Sequence, residues 1–148
     1  FFVLRYEVHR LFAEYQRGNY EDFPVYEKQG AIPSDTVALL SGGGIFSFLT
    51  DLRTIDRYGL TDKSIARNRK VLPGERRLAH YRLPPEGYLK KQGVNMVEPI
   101  VWDEMPFQFL GQESLYIIRL PDGRFLTFLS DEEAWVSRHF QGRIIAGG

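Results

Sequence analysis

Thr36 to Tyr88, TVALLSGGGIFSFLTDLRTIDRYGLTDKSIARNRKVLPGERRLAHYRLPPEGY, is the stretch that decides the fold. It opens on a continuous apolar run, Val37-Ala38-Leu39-Leu40, which stops at Ser41-Gly42-Gly43-Gly44. Continuous rather than alternating hydrophobicity suits a strand covered on both faces. Ile45 to Leu49 then forms a short crossover, with Phe46, Phe48 and Leu49 expected to pack it onto the sheet. Arg53-Thr54-Ile55-Asp56 reads as the neighbouring strand, and the right-handed crossover rule makes it parallel to the first. Polar groups gather outside the carboxyl ends of such strands. Asp56, Asp62, Arg67 and His80 all follow such an end, so a site is sought there.

Downstream, Thr61 or Asp62 is placed to cap a helix over 61–68. Arg67 to Arg77 is strongly basic and broken by Pro73-Gly74, which reads as an exposed loop. Pro84-Pro85 lead into a helix over 85–92, and Val94 to Trp102 offers a third strand. Ser114–Leu120 and Arg124–Leu129 flank Pro121-Asp122-Gly123, and both arms are β-branched and aromatic, so they form a hairpin. Ser130-Asp131-Glu132-Glu133 supplies the cap and first-turn acids of a helix over 131–140, and Arg143 to Ala146 closes as a final strand. Upstream, Val3, Leu4, Val8, Leu11, Phe12 and Tyr15 recur at helical spacing, giving a helix over 1–17 stopped by Gly18-Asn19. Tyr20 to Gly30 is a loop or a short helix, and Ile32-Pro33-Ser34-Asp35 is turn chemistry. The expected fold is α/β: a short, mostly parallel sheet near 36–102 with flanking helices, extended by an antiparallel hairpin at 115–129.

At 148 residues the chain is most simply one domain, 1–148, able to bury a real core. Its 43% hydrophobic and 26% charged residues are globular values and argue against disorder. Lys plus Arg and Asp plus Glu number 19 each, so the chain lacks the basic footprint of a nucleic-acid binder. There is no cysteine, which removes disulfides, thiolate catalysis and cysteine metal sites together. No apolar run approaches the ~18 residues needed to cross a bilayer.

Each chemical motif competes with a structural explanation. Ser41-Gly42-Gly43-Gly44 has neither G-x-G-x-x-G spacing nor a G-K-[ST] ending, so it reads as a tight turn rather than a phosphate loop. His9, His80 and His139 are far apart, and no zinc pair is present among them. Asp56 and Asp62, with His80, have the residue types for acid–base work or for a metal-dependent hydrolase or transferase. The preferred account is that Asp62 caps a helix while Asp56 pins the following loop by pairing with Arg57, Arg67 or His80. Trp102 and Trp135 are candidates for stacking on sugar, although tryptophan in a chain of this size is more often core. No cofactor is implied.

Ile55-Asp56-Arg57-Tyr58-Gly59-Leu60-Thr61-Asp62-Lys63-Ser64-Ile65-Ala66-Arg67 is similar to a recurring iDxxGLxDxxIAR segment. With TVALLSGGG before it, and Leu78-Ala79-His80 and Pro85-Glu86-Gly87-Tyr88 after it, the chain resembles the soluble C-terminal region of GT-C-type bacterial membrane glycosyltransferases, the arabinofuranosyltransferase-like proteins among them. Where relatives read Gly-Ala-x-x-Tyr at the turn, this chain has Gly43-Gly44-Ile45-Phe46-Ser47-Phe48. The resemblance covers roughly residues 33–98 and fades from Val101 onward. It implies a non-catalytic domain on the extracytoplasmic side of the cell membrane, because the family's catalytic acids lie in membrane-domain loops. Its partners are then the upstream membrane domain of the same chain and the acceptor glycan or lipid-linked sugar, with polyprenyl-phosphate sugars as donors. Phe1-Phe2-Val3-Leu4 becomes the exit of the last transmembrane helix. Asp56, Asp62, Arg67, His80 and Tyr88 are then expected to organise the loop that faces the membrane domain.

Overall fold

The computed structural model describes Glu14 and residues 17–41, 44–71 and 82–147. His9, His80, the Gly42-Gly43 pair, residues 72–77 of the basic loop and most of the expected helix over 1–17 lie outside the described residues. Glu14 and residues 17–20 are helical, so Gly18-Asn19 is no stop and the first turn comes at Glu21-Asp22. The segment after it is a short helix, α1 (Phe23–Lys28), with Pro24 in the first turn, where its missing N–H costs nothing.

The strand–crossover–strand reading holds at its centre. β1 (Val37–Leu40) and β2 (Arg53–Asp56) are parallel neighbours, with Val37 opposite Arg53 and Leu40 opposite Asp56. α2 (Gly44–Leu49) is the crossover, and it buries Phe46 while leaving Phe48 87% exposed, so only one of these phenylalanines packs onto the sheet. α3 (Lys63–Ala66) and α4 (Tyr88–Lys91) are single turns, shorter than the 61–68 and 85–92 expected. β3 also shrinks, from Val94–Trp102 to Met96–Val97. Glu98 takes φ +43°, a left-handed value unfavourable for a residue with a Cβ, and Pro99 follows without an N–H, so pairing ends there. The parallel sheet has the order β2-β1-β3.

The hairpin forms from β4 (Leu115–Arg119) and β5 (Phe125–Leu129), in register from Leu115–Leu129 to Arg119–Phe125. α5 (Glu133–Phe140) starts two residues later than the expected 131–140, and its N-cap, Glu132, makes no side-chain cap bond; β6 (Ile144–Gly147) lies one residue on from the expected Arg143 to Ala146. The hairpin does not extend the parallel sheet, however. It builds a separate antiparallel sheet of order β5-β4-β6. The two sheets are stapled by a few backbone bonds on either side of β3. Leu129 N–H donates to Asn95 O at 2.7 Å, and Trp102 and Phe125 exchange N–H···O bonds of 2.9 Å.

Side-chain alternation along β1 feeds two apolar clusters. Ala38 and Leu40 join Phe23, Phe46, Met96, Ile118, Phe128, Val136 and Phe140 in the main core, which unites both sheets with α1 and α5. Val37 and Leu39 pack on the other face with Ile55 and Ile65. Burying a Leu or Phe side chain stabilises by about 1.5–3 kcal/mol, so the main core dominates the stability of the chain.

Candidate functional site

β1, β2 and β3 all run the same way, so their carboxyl ends form one rim. Asp56 is the last residue of β2, and its carboxylate folds back on the turn that follows. Oδ1 accepts Tyr58 N–H at 2.9 Å, and Oδ2 accepts Thr61 N–H at 3.2 Å. The turn is thus held by backbone N–H groups rather than by Arg57 or Arg67, an Asx-type arrangement. Gly59 sits within it at φ +80°, and a Cβ there would meet Ala66 N at 2.6 Å. Only glycine lets the turn pack this closely on α3.

Asp62 is the N-cap of α3, with Oδ1 accepting N–H from Ser64 at 2.9 Å and Ile65 at 3.0 Å. Its other oxygen receives the Tyr88 hydroxyl at 2.8 Å, across 26 residues of sequence. Asp62 and Tyr88 are therefore brought together. Arg67 is exposed at the end of α3 and joins neither carboxylate among the described residues. His80 lies outside those residues.

A cavity of about 330 Å³ opens beside Asp56, lined by Ser41, Ser47, Thr54, Leu60 and Thr61. The Ser47 and Thr54 hydroxyls are 2.8 Å apart. Phe48 shares a helix face with Gly44 at a spacing of four, and Leu60 on the cavity wall is 58% exposed, so the rim presents apolar surface beside its hydroxyls. The Ser41 hydroxyl donates to the Glu98 carboxylate. Glu98 follows β3 as Ser41 follows β1, and its N–H continues the parallel ladder to Leu39 O at 2.9 Å. Chain excursions to opposite sides of β1 make this the switch point of the small sheet, where ligands of open α/β folds settle. Sequence reasoning missed Glu98, although an acid followed by Pro99 just after an apolar pair was a usable signal.

A second charged group ties α1 to the hairpin turn. The Tyr26 hydroxyl donates to Asp122 Oδ2 at 2.7 Å, and Arg124 bridges to Asp22 at 2.7 Å and Asp122 at 2.8 Å. Burial, then the bond to Asp122, pushes the Tyr26 phenol above its ordinary value. Burial pushes the Asp122 carboxyl upward, but bonds from Tyr26 and Arg124 outweigh it and hold the group below the usual carboxylate range. The bonds to Asp122 and Asp22 raise the Arg124 guanidinium further, so it stays charged. These residues span 96–102 positions and carry no local signature.

Among the described residues, no group of three or more His, Cys, Asp or Glu is disposed to hold a metal ion, and no helix is long and apolar enough to cross a membrane. The geometry defines an α/β domain whose two leading acids bind its own backbone. No protein-family model, curated protein or solved structure matches the chain.

Proposed function

We propose that this chain is a non-catalytic extracytoplasmic accessory domain of a membrane glycosyltransferase that uses polyprenyl-phosphate sugar donors. The observation that carries the reading is the commitment of the rim acids: Asp56 and Asp62 accept four backbone N–H bonds between them, and Tyr88 takes the remaining Asp62 oxygen. Carboxylates engaged in this way shape a loop and are poorly placed to move protons on a substrate. Exposed Phe48 and Leu60 beside that loop supply apolar area for docking on the membrane domain. The similarity of residues 55–67 to the glycosyltransferase segment supplies the partner class.

The test is sugar transfer from a polyprenyl-phosphate donor in membranes carrying the intact gene product. Phe48→Asp places a charge where an apolar ring docks, so transfer falls about tenfold or more, while the variant domain melts like the wild type. Hydrolysis or transfer by the 148-residue chain alone, abolished by Asp56→Ala, would refute the reading and favour a stand-alone enzyme using Asp56, Asp62 and His80.

A further inference from the structure

The rim occupies one end of β1; the other end opens into a groove. Four residues at ~3.3 Å each separate the two by about 13 Å. The groove, of about 400 Å³, runs between the residues after α4 and the start of α5. Asn95 lines it and is only 9% exposed. Its backbone is fully engaged, with N–H donating to Val37 O at 3.1 Å and O accepting Leu129 N–H at 2.7 Å. Its side-chain Oδ1 accepts Val37 N–H at 2.9 Å. That leaves the carboxamide NH2 without a partner among the described residues, open to the groove rather than sealed in the core. A donor that opens on the groove from an otherwise buried, backbone-anchored side chain is held in a fixed direction, and a ligand oxygen can take the place of the water it faces.

The rest of the lining matches the same kind of ligand. Lys90 and Asp131 pair at 2.5 Å, and the Trp135 indole N–H donates to Asp35 at 2.9 Å. Donors thus stand beside acceptors, with the Trp135 ring and Leu129 as apolar wall. A hydroxyl both donates and accepts, so a polyhydroxylated ring satisfies carboxylate and amide together while its C–H face lies on the wall. Anionic ligands are disfavoured, because among the described lining residues three acids, Asp35, Asp131 and Glu132, stand against one lysine, Lys90.

We propose that this groove binds a neutral saccharide, held by the Asn95 amide and Lys90 as donors and by Asp35 and Asp131 as acceptors. The proposal rests on the glycosyltransferase reading for the source of that saccharide, and places it at the end of β1 opposite the docking rim.

The experiment is a titration of the 148-residue chain with xylotetraose, cellotetraose and an arabinofuranose tetrasaccharide at millimolar concentration, followed by 15N–1H correlation spectra. At least one of them shifts the Asn95 side-chain NH2 and the Trp135 indole N–H saturably, leaving the Ser64 and Thr61 amides of the rim unmoved. Asn95→Asp keeps the oxygen that holds Val37 and removes the donor, weakening binding about 3–10-fold. Lys90→Ala alters a side chain 80% exposed, so it leaves the fold intact and weakens binding by a similar factor. The proposal is overturned by no saturable shift with any of the three, by shifts confined to the rim, or by unchanged binding in both variants. Such a result leaves the membrane-transfer effect of Phe48→Asp standing; failure of that effect leaves a saturable saccharide shift standing.

Discussion

Gly59→Ala is the sharpest test of how the rim is built. At φ +80° a residue with a Cβ costs about 1–2 kcal/mol for its left-handed backbone. The added methyl then meets Ala66 N at 2.6 Å, with Ala66 Cα and Ile65 C at 3.0 Å. All three are backbone atoms of α3, so no side chain can swing away, and the overpacking adds about 1–3 kcal/mol. Reduced entropy of the unfolded chain returns about 0.4–1 kcal/mol. The net loss is therefore about 1–5 kcal/mol, a large share of the stability of an ordinary domain. Urea unfolding measures it: with a slope of about 2 kcal/mol/M, the midpoint falls by roughly 0.5–2.5 M. Gly30→Ala is the control, since Gly30 has φ +67° but nothing within 4 Å of a new Cβ, and it loses only the backbone share, about 1 kcal/mol. Equal losses for the two variants would refute the claim that close packing of the turn on α3 holds Asp56 and Asp62 in place.

The Asp62–Tyr88 link is checked by a double-mutant cycle in thermal melts. Asp62→Ala costs about 1 kcal/mol for the cap, Tyr88→Phe about 0.5–1.5 kcal/mol, and Tyr88→Phe costs less once Asp62 is gone. The α1–hairpin network gives the stability of the chain two pH limbs. The folded-state pKa of Asp122 lies below its ordinary 3.8, so its contribution is present above that value and is lost as the pH falls beneath it. The folded-state pKa of Tyr26 lies above its ordinary 10.0, so its contribution is intact below pH 10 and is lost as the pH rises beyond. Asp122→Asn flattens the acid limb and Tyr26→Phe the alkaline limb in stability measured against pH.

Local patterns made the elements legible. The run Val37–Leu40, the β-rich arms around Pro121-Asp122-Gly123 and the acid-rich stretch before Trp135 each declare their structure within a few residues, and each element forms, the last without the side-chain cap expected of it. What stayed hidden depends on partners far along the chain. Asn95 serves Val37 across 58 residues, and Arg124 reaches Asp22 across 102. No periodicity marks either. The division into two sheets was also unreadable, since it turns on the left-handed backbone at Glu98, which ends β3 after two residues. At the site, the capping role of Asp62 was readable from Thr61-Asp62-Lys63-Ser64, whereas the Glu98–Ser41 bond needed the strand order to bring the two together.

Because β1 splits its side chains between a large apolar cluster and a small one, the protein has a thick side and a thin side. The thin side, where Ile65 and Leu39 meet beneath α3, has little to lose by parting. Amide hydrogens of Ser64 to Arg67 therefore exchange with solvent through a partial opening that leaves the Phe128–Phe140 side shut. A binding partner that seats on the loop after β2 closes that weak seam, and slows exchange there before it changes the melting of the whole.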